Sequence, residues 1–370
     1  MKALGIILAG GNNMRMGALA KTRAIAAIPV AGTYRCIDFA LSNMTNSDIR
    51  KVAVLTQYNA KSLDDHLRSS KWWNFGRKKG GLYVFSPTLT ANNSWWYKGT
   101  ADAMWQNIDW LKQSHEPYVV IASCNGIYKL NFNKVIDYHI EKDADITIVC
   151  SEIQEDARRY GVVKFGEDGR ITELLEKPVV AESNTVSCGI YVMRRRLLIS
   201  LLEESAAEDK FDFVNDIIIR YMRTKKIYGY MLNSFWNGIT NIETYYNTNM
   251  AFLQPEIRKF FFETEPRIFT RIEDRPPAKY NQNTHVKNSL VSVDCIVNGE
   301  VVNSLLFKGV YVGENTSIKD CIIMNDVFIG DNVHLERCIV ESHSTILSGT
   351  SYLGEGEIQI IAEENSRYDV

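Results

Sequence analysis

The chain has 370 residues, of which 45% are hydrophobic and 23% are charged, and its formal net charge is −2. This balance is ordinary for a globular protein of two domains, and one large domain also fits. The near-neutral charge excludes a general attraction to nucleic acid or to an anionic membrane, and the longest apolar runs are too short to span a bilayer.

Seven cysteines are spread singly along the chain without a Cys-x-x-Cys pair. An odd number at such spacing fits neither a disulfide framework nor a zinc site. The N-terminus begins directly in a strand pattern, with no signal-peptide architecture. We therefore expect buried, reduced cysteines in a cytoplasmic protein.

Short apolar strands alternate with helical patterns up to Trp236. The predicted strands cover residues 3–8, 52–56, 118–122, 146–150 and 189–193. A 3.6-residue period predicts a helix over residues 101–112, with Thr100 as its N-cap. The alternation predicts an α/β fold with a mostly parallel sheet covered on both faces, whose ligands bind beyond the carboxyl ends of the strands.

The first predicted strand runs into Gly10-Gly11, where backbone amides can approach a phosphate with no Cβ in the way. Residues 1–37 contain no Asp or Glu and five cations, Lys2, Arg15, Lys21, Arg23 and Arg35. Together these features indicate an anion site for a nucleotide or a sugar phosphate. A strand-to-loop turn with solvated cations explains them equally well.

Residues 68–98 are rich in aromatic side chains around a Lys78-Lys79-Gly80-Gly81 break. Such a segment could form a lid that stacks on a ligand. A long surface loop anchored by its aromatic residues is the more common arrangement and is the favoured interpretation.

After Trp236 the pattern changes. A predicted helix near residues 241–253 leads into a proline-containing linker, beyond which apolar residues recur every five or six positions. The twelve recurring residues are Val291, Ile296, Val301, Leu306, Val312, Ile318, Ile323, Ile329, Leu335, Val340, Ile346 and Tyr352. This period matches the hexapeptide repeats of a parallel β-helix with about four coils, each burying one apolar residue per side against its neighbours.

Eight short motifs occur in an order typical of one enzyme family. They are Leu8-Ala9-Gly10-Gly11, residues 34–43, residues 54–58, residues 96–103, Tyr160-Gly161-Val162, Glu176-Lys177-Pro178, residues 188–192 and Asn288-Ser289-Leu290-Val291. With the hexapeptide region behind them, they resemble bacterial ADP-glucose pyrophosphorylase (glucose-1-phosphate adenylyltransferase), which makes ADP-glucose for glycogen. The resemblance implies a Rossmann-like (GT-A) nucleotidyltransferase domain over residues 1–240, a helix and linker over 241–286, and a left-handed β-helix over 287–360.

The resemblance also implies roles for individual residues. The adenine-nucleotide side of the family's site corresponds to Leu8, Ala9, Gly10, Gly11, Arg15, Gln57, Gly99, Thr100 and Asp102. The glucose 1-phosphate side corresponds to Glu176, Lys177 and Gly189, with Lys177 as the point charge for the phosphate. Arg23 and Arg35 match positions of an effector site at subunit junctions, so a sugar-phosphate or nucleotide effector is expected there.

The departures from the family pattern fall where the chemistry needs charge. Adenylyl transfer to glucose 1-phosphate expels pyrophosphate and depends on positioning, cations and a metal ion. The family's catalytic lysine position holds Ile25, and its two Mg²⁺-binding aspartate positions hold Asn125 and Gly238. In the glycine loop, Asn13 and Met14 replace a glycine and a threonine. No catalytic residue of the family is intact, and no bound metal is expected.

Losing one preorganised charge lowers a rate by about 10²–10³, so three losses would remove most of the acceleration. We therefore expect a catalytically silent, regulatory subunit that assembles with the catalytic ADP-glucose pyrophosphorylase subunit as a heterotetramer, or self-associates. An active enzyme with a relocated metal site is the alternative hypothesis. A β-helix acyltransferase with His334 or His343 as general base is a third, although no coenzyme A signal accompanies these residues.

Overall fold

A computed structural model of the chain describes residues 3–11, 14–76, 80–88 and 96–362. The chain divides into two compact units, each built from separate segments. The first unit comprises Met1–Asn12, Ala24–Ala26 and Phe39–Gly238, and the second comprises Asn13–Arg23, Ala27–Asp38 and Ile239–Val370. The domain boundaries predicted at residues 240 and 286 stay predictions.

The strands up to residue 238 are mostly short and apolar. They are β1 (Ala3–Leu8), β2 (Pro29–Val30), β3 (Tyr34–Arg35), β4 (Lys51–Leu55), β5 (Gly81–Phe85), β6 (Tyr118–Ser123), β7 (Gly126–Tyr128), β8 (Ile146–Glu152), β9 (Gly161–Phe165), β10 (Ile171–Glu176), β11 (Thr185–Arg194), β12 (Ile227–Met231) and β13 (Trp236–Gly238). All five predicted strands are present, with bounds that differ by a few residues.

The α-helices are α1 (Cys36–Asn46), α2 (Lys61–Leu67), α3 (Thr100–Trp105), α4 (Ile108–Lys112), α5 (Phe132–Glu141), α6 (Arg195–Ala207), α7 (Ile242–Ala251) and α8 (Pro255–Arg258). Two π-helical turns cover Phe213–Ile219 and Lys259–Glu263, and 3₁₀ turns cover Met14–Ala20, Ile25–Ala27, Ser70–Trp73 and Ala157–Arg159. In the described part of the chain, no helix has the length and apolar character that a membrane crossing needs.

A nine-stranded sheet forms the framework of the first unit, and it is mostly parallel, as predicted. Strand β1 pairs in parallel with β4 and with β6, β5 extends in parallel from β4, and β12 pairs in parallel with β8. Strand β11 runs antiparallel to β6 and β8, and β9 and β10 form an antiparallel pair. Because β1, β4 and β6 are parallel neighbours, their carboxyl ends meet at one edge, where ligands of such sheets bind.

The helix predicted over residues 101–112 is two short helices, α3 and α4. The Asn107 side-chain amide donates to the Ala103 carbonyl oxygen (2.9 Å), the acceptor that a continuous helix would offer to the Asn107 backbone N–H. The predicted N-cap at Thr100 is wrong, because Gly99 is the capping residue. The Thr100 hydroxyl instead accepts a hydrogen bond from the Phe213 backbone N–H (2.9 Å).

The aromatic segment is described only in part. Trp73 is fully buried and meets the His66 ring edge-on, with ring centroids 5.3 Å apart, which is the anchoring arrangement that the sequence favours. Trp96 is 61% exposed. Lys78, Lys79 and Trp95 lie outside the described residues, so the lid interpretation stays a prediction.

In the described residues from 279 to 361, the second unit has fifteen short strands with a parallel register. They are β14 (Lys279–Tyr280), β15 (His285–Lys287), β16 (Leu290–Val291), β17 (Ile296–Val297), β18 (Glu300–Val302), β19 (Leu305–Leu306), β20 (Tyr311–Val312), β21 (Ser317–Lys319), β22 (Ile322–Ile323), β23 (Phe328–Ile329), β24 (His334–Glu336), β25 (Cys338–Val340), β26 (Thr345–Ile346), β27 (Ser351–Leu353) and β28 (Gln359–Ile361). Each of these strands pairs with the strand three places later in the chain, which gives three five-stranded parallel sheets. This architecture is consistent with the predicted left-handed β-helix.

The interior of the β-helix confirms the repeat, with one exception. Leu306 pairs with Ile323, the 17-residue step read from the sequence, and both are fully buried. The prediction that Ile296 points inward is wrong: it is 39% exposed, whereas Val297 is fully buried. Strand β17 has only two residues, and successive residues of a strand face opposite sides, so only one of these two can enter the core.

Helix α7 confirms the helix predicted near residues 241–253 and packs within the second unit. Its N-terminus is a capping box, in which Asn241 and Thr244 bond each other's backbone N–H groups. The Tyr245 hydroxyl donates to the Pro29 carbonyl oxygen (2.8 Å), and the Asn249 side chain accepts from the Ala31 N–H (3.0 Å). These buried bonds attach residues 27–38 to the helix.

All seven cysteines are free and buried, which confirms the prediction of buried, unpaired cysteines, whereas the cytoplasmic location stays a prediction. Burial raises the pKa of the Cys124 thiol to about 12 and holds that of Cys188 well above its ordinary value. Neither thiol forms a thiolate near neutral pH, so neither is suited to nucleophilic chemistry.

Candidate functional site

The glycine loop follows β1 at the carboxyl edge of the sheet. The Ala9 N–H donates to the Leu55 carbonyl oxygen at the end of β4 (2.8 Å), and the Leu8 carbonyl oxygen accepts from the Cys124 N–H (3.2 Å). Hydrogen bonds therefore connect this region to the end of β4 and to the residue after β6, the two parallel neighbours of β1. A Cβ built on Gly11 would meet no described atom within 4 Å, so the loop presents an open backbone surface there. Asn12 and Asn13 lie outside the described residues.

Gln57 lies beside this loop. A Cβ built on Gly10 would be 3.4 Å from Cβ of Gln57, so the fold brings these two predicted nucleotide residues together. The Gln57 amide nitrogen donates to the Tyr97 carbonyl oxygen (3.4 Å). The Gln57 amide oxygen is buried and has no hydrogen-bond partner in the described part of the chain. A buried acceptor without a donor is unfavourable, and the amino group of a base would satisfy it.

Asp102 has a local structural role. It is 7% exposed, and its Oδ2 accepts from the Lys98 backbone N–H (2.7 Å) and from the Gln106 side-chain amide (2.9 Å). These bonds fix the turn that contains Gly99, whose backbone lies so close to the Phe211 carbonyl oxygen that a Cβ would collide with it. Asp102 therefore shapes the turn before α3.

Arg15 belongs to the second unit, in the 3₁₀ turn Met14–Ala20, and is exposed. The loop residues predicted with it, from Leu8 to Gly11, belong to the first unit. Its predicted contribution to a nucleotide site stays a prediction.

The predicted sugar-phosphate residues gather around Ser187 of β11. Ser187 Oγ accepts from the Gly189 N–H (3.2 Å). A Cβ built on Gly161 would lie 3.0 Å from Oε2 of Glu176 and 3.6 Å from Cβ of Ser187, so Glu176 lies over the same strand. Lys177 Nζ is 3.1 Å from Oε1 of Glu176, and its side chain is 57% exposed. The cluster presents one accessible ammonium beside a half-buried carboxylate.

The backbone conformation and close packing at position 189 favour glycine. Its φ is +68°, in the left-handed region that favours glycine, and a Cβ there would lie 3.0 Å from Cβ of Ser123. The register of β11 against β8 shifts between Ser187 and Ile190, so Gly189 lies in a β-bulge. The bulge turns the backbone of this strand toward the end of β6.

Asn125 and Gly238, the two positions where the family holds a metal, come together through one strand pair. Strand β13 runs antiparallel to β7, with Gly238 opposite Gly126, the residue directly after Asn125. The Ser123 hydroxyl donates to the Asn125 amide oxygen (2.6 Å). The one side-chain oxygen that position 125 could offer a cation is therefore a neutral amide oxygen that already accepts a hydrogen bond.

Tyr160 packs against Gly238. A Cβ built on Gly238 would lie 2.7 Å from Cε1 of Tyr160 and 3.1 Å from Cη2 of Trp236. The Tyr160 hydroxyl donates to the Gly238 carbonyl oxygen (2.9 Å), and the Tyr160 carbonyl oxygen accepts from the Lys177 N–H (3.0 Å). Tyr160 thus links the sugar-phosphate cluster to Gly238.

The residues at this place do not fit a magnesium ion. Mg²⁺ in such sites is held by carboxylates together with substrate phosphates. Here one position offers an amide oxygen that already accepts a hydrogen bond, and the other has no side chain and is bounded by two aromatic rings. In the described residues, no group of three or more His, Cys, Asp or Glu could hold a metal.

Ile25, at the position of the family's catalytic lysine, is buried in the 3₁₀ turn Ile25–Ala27. The preceding Ala24 N–H donates to the Asn59 carbonyl oxygen (3.3 Å), which attaches this turn to the loop after β4. The turn is present, and its side chain supplies no positive charge.

The predicted effector residues lie in the second unit. Arg23 forms an ion pair with Glu341, with Nη2 and Oε1 2.5 Å apart. The Arg35 backbone N–H donates to Asp38 (2.9 Å). Burial lowers the pKa of the Arg35 guanidinium from its ordinary value, an effect that Asp38 opposes and Arg23 reinforces. Arg23 and Arg35 are therefore neighbours. Glu341 lies beside Arg23, and Asp38 lies beside Arg35.

His334 and His343, the residues of the acyltransferase hypothesis, are both exposed. His343 Nδ1 is 4.0 Å from Oδ2 of Asp326, and its side chain is 69% exposed. No observation supports a general-base role for either.

Sequence reasoning assigned no roles to Tyr160 and Ser123. Tyr160 was visible only as a member of the motif Tyr160-Gly161-Val162, and Ser123 as the last residue before Cys124-Asn125. Tyr160 contacts a glycine 78 positions away, which a pattern of neighbours along the chain does not reveal, whereas the Ser123–Asn125 bond is local and matches no recognised motif.

Comparisons with known proteins agree with this arrangement. Residues 4–255 match the family described as nucleotidyl transferase, and residues 276–357 match the GlmU-like, C-terminal hexapeptide family. The glucose-1-phosphate adenylyltransferase of Thermosipho melanesiensis is 38% identical over 320 residues, which cover 85% of this chain and 77% of the relative. The chain belongs to the glucose-1-phosphate adenylyltransferase family.

Two clostridial members of the glucose-1-phosphate adenylyltransferase family are about as similar. The Clostridium perfringens enzyme is 37% identical over 324 residues, covering 86% of this chain and 82% of the relative. The Clostridium acetobutylicum enzyme is 39% identical over 319 residues, covering 85% of this chain and 84% of the relative. Membership of the glucose-1-phosphate adenylyltransferase family therefore extends over both the sheet and the β-helix.

Proposed function

We propose that this chain is a catalytically silent, regulatory subunit of glucose-1-phosphate adenylyltransferase. It would assemble with a catalytic subunit of the same family and alter that subunit's response to substrates or effectors. One observation supports the silent state above all: the pairing of β7 with β13 brings positions 125 and 238 together, and neither of them carries a carboxylate.

The chemistry gives the reason. Transfer of an adenylyl group leaves little covalent work for the protein, so the rate depends on charges that are placed before the reaction begins. At the three positions examined, this chain has a buried isoleucine at residue 25, an amide at residue 125 that already accepts a hydrogen bond from Ser123, and no side chain at residue 238. We infer that adenylyl transfer lacks both its cation and its metal.

The predicted binding positions carry polar groups that can contact a ligand. The Gln57 amide oxygen has no partner among the described residues, and Lys177 remains accessible beside Glu176. These features support retained, weak binding of a nucleotide and a sugar phosphate without turnover. A subunit of this kind could sense the substrates of its partner.

Regulation of a partner requires a differential interaction. A subunit that binds both states of a catalytic partner equally shifts neither, so the interface must favour one state. Because relatives with the same two regions are named as the enzyme, we propose a related catalytic subunit as the partner, in a heterotetramer.

The deciding experiment assays the purified chain with ATP, glucose 1-phosphate and Mg²⁺, alone and then mixed with the catalytic subunit from the same cell. We expect no ADP-glucose from the chain alone and a changed KM or effector response in the mixture. Normal turnover by the chain alone would instead support the alternative, an active enzyme with a relocated metal site.

A second experiment restores the family residues through Ile25→Lys, Asn125→Asp and Gly238→Asp in one protein. We expect adenylyl transfer above that of the unaltered chain, because the strands and turns that hold the three positions are present and the Tyr160 ring can shift to admit the new side chain at position 238. An inactive but folded variant would mean that the site has diverged beyond these three positions.

A further inference from the structure

Asparagine followed by glycine is the dipeptide that most readily loses its side-chain amide without an enzyme. The glycine matters because, with no Cβ, its backbone can bring its amide nitrogen onto the preceding side chain. The structure places the dipeptides of this type in different surroundings, so their rates of deamidation should differ. The chain contains three of them, Asn125-Gly126, Asn237-Gly238 and Asn298-Gly299.

Asn125 lies between strands rather than within one. It is half-buried in the short connection from β6, which ends at Ser123, to β7, which begins at Gly126. The Ser123 hydroxyl donates to the Asn125 amide oxygen at 2.6 Å. A hydrogen bond to this oxygen stabilises the negative charge that develops on it when a nucleophile adds to Cγ. The folded protein therefore activates the side-chain carbonyl of Asn125.

Asn237 lies in a more constrained position. It is the middle residue of β13, where pairing with β7 keeps the backbone extended. The Gly238 backbone, which would have to move onto the Asn237 side chain, is packed against the Tyr160 ring and bonded to the Tyr160 hydroxyl through its carbonyl oxygen. These contacts oppose the rearrangement that deamidation needs.

Asn298 is held inside the stacked coils of the β-helix. Its amide nitrogen donates to the Val312 carbonyl oxygen (2.7 Å). A Cβ built on Gly299 would collide with the Thr316 carbonyl oxygen, so the neighbouring coil confines the backbone there. Both reacting groups of this dipeptide are therefore fixed by the next coil.

We propose that Asn125 is a site of spontaneous deamidation that the Ser123 hydroxyl promotes. Hydroxide removes the Gly126 N–H proton, and the nitrogen forms a bond to Cγ of Asn125. The bond between Cγ and the side-chain nitrogen then breaks, and that nitrogen takes a proton from water and leaves as ammonia. Water opens the resulting cyclic imide at either carbonyl, which leaves an aspartate or an isoaspartate at position 125.

The reaction puts a carboxylate at the position where the family holds a metal-binding aspartate. It needs neither an oxidant nor a second protein, because water is the only co-reactant. The inference is independent of whether the chain is catalytically silent, since the product still has Ile25 and Gly238. It implies that the charge at position 125 changes as the protein ages.

The test incubates the full, folded chain at mildly alkaline pH, and peptide mass spectrometry follows the conversion of amide to acid at each dipeptide. An enzymatic isoaspartate assay measures the rearranged product. Asn125 should convert at least about tenfold faster than Asn237 and Asn298, because orientation and activation of the reacting groups set the rate. Ser123→Ala should slow the conversion of Asn125 about threefold or more, the effect of one hydrogen bond of ordinary strength.

Ser183→Ala is the matched control. The Ser183 hydroxyl oxygen accepts a hydrogen bond from the Thr185 backbone N–H in the same unit, so its loss should leave the rate at Asn125 unchanged. Equal slowing in this control would contradict a specific role for Ser123. Conversion of Asn125 in the Ser123→Ala variant as fast as in the unaltered chain, or faster, would make the hydroxyl a restraint and overturn the proposal.

A second measurement decides the case if Ser123→Ala does not fold. The unaltered chain is incubated folded and, in parallel, unfolded in urea. Unfolding removes both the Ser123 bond and the strand contacts, so the rates of the three dipeptides should converge. Similar rates in the folded chain, or a preference for Asn125 that persists in urea, would contradict the proposal.

Discussion

The Tyr160 hydroxyl donates a hydrogen bond to the Gly238 carbonyl oxygen at 2.9 Å, while the Tyr160 ring lies against the α-carbon of the same glycine. The two residues are 78 positions apart in the sequence. Their contact packs an aromatic ring directly against position 238, so any side chain added there requires the ring to shift.

The first prediction concerns this contact. Gly238→Ala adds only a Cβ, which would lie 2.7 Å from the Tyr160 ring. Overpacking of this kind typically costs about 1–3 kcal/mol, so the variant should unfold at a lower temperature in calorimetry. Gly76→Ala is the matched control, since it is exposed and a Cβ there meets nothing within 4 Å. Equal thermal stability of Gly238→Ala and the control would mean that position 238 is open.

The second prediction concerns Lys177. Replacing it by Met should weaken binding of glucose 1-phosphate about tenfold, because the accessible ammonium is the cation of the sugar-phosphate cluster. The Lys177 side chain is 57% exposed, and ion pairs with an exposed member contribute little to stability, so the unfolding temperature should barely change.

Titration calorimetry with glucose 1-phosphate provides the measurement. Lys164→Met is the control, because Lys164 pairs with Glu173 of β10 and with Glu182 of the loop before β11, and it lies outside the cluster. The assignment of Lys177 fails if both variants bind the sugar phosphate alike.

The third prediction concerns pH and His139. This residue is buried, its Nδ1 lies 2.9 Å from the Thr147 hydroxyl, and its Nε2 has no partner in the described part of the chain. Burial lowers its pKa from 6.5 to about 4, with Arg194 acting in the same direction and Asp145 and Asp143 opposing it. The folded state therefore prefers the neutral imidazole.

Because the pKa of His139 is lower in the folded state than in the unfolded state, the unfolded state binds a proton at a higher pH as the solution is acidified. The stability that His139 contributes is complete above pH 6.5 and is lost as the pH falls from 6.5 toward 4, by up to about 3 kcal/mol. His139→Gln should flatten this part of the curve of unfolding free energy against pH. His115→Gln, at an exposed histidine, should leave the curve unchanged. A His139→Gln curve as steep as that of the unaltered chain would contradict the assignment.

The β-helix was the most predictable part of the fold. Each coil must bury one apolar residue per side, so apolar residues recur in the sequence at the period of the coil. The 17-residue step from Leu306 to Ile323 is observed as a strand pairing. The one error was to place Ile296 in the core, where the structure places Val297. Both residues of this two-residue strand are apolar, and the period alone cannot choose between them.

The candidate site was predictable only as a set of positions. Order along the chain pointed to Asn125 and Gly238, but their meeting depends on the pairing of β7 with β13, more than a hundred residues apart in sequence. The contacts of Tyr160 with Gly238 and of Arg23 with Glu341 are likewise long-range. Packing between distant segments decides such contacts, and local patterns do not encode it.

We propose a site that keeps the family's framework but cannot drive adenylyl transfer. The most direct measurement is formation of ADP-glucose by the purified chain, free of any catalytic relative, with saturating ATP, glucose 1-phosphate and Mg²⁺. We predict no product above background from the chain alone, and altered kinetics when the chain is added to a catalytic subunit. Turnover by the chain alone at the rate of its active relatives would contradict the account.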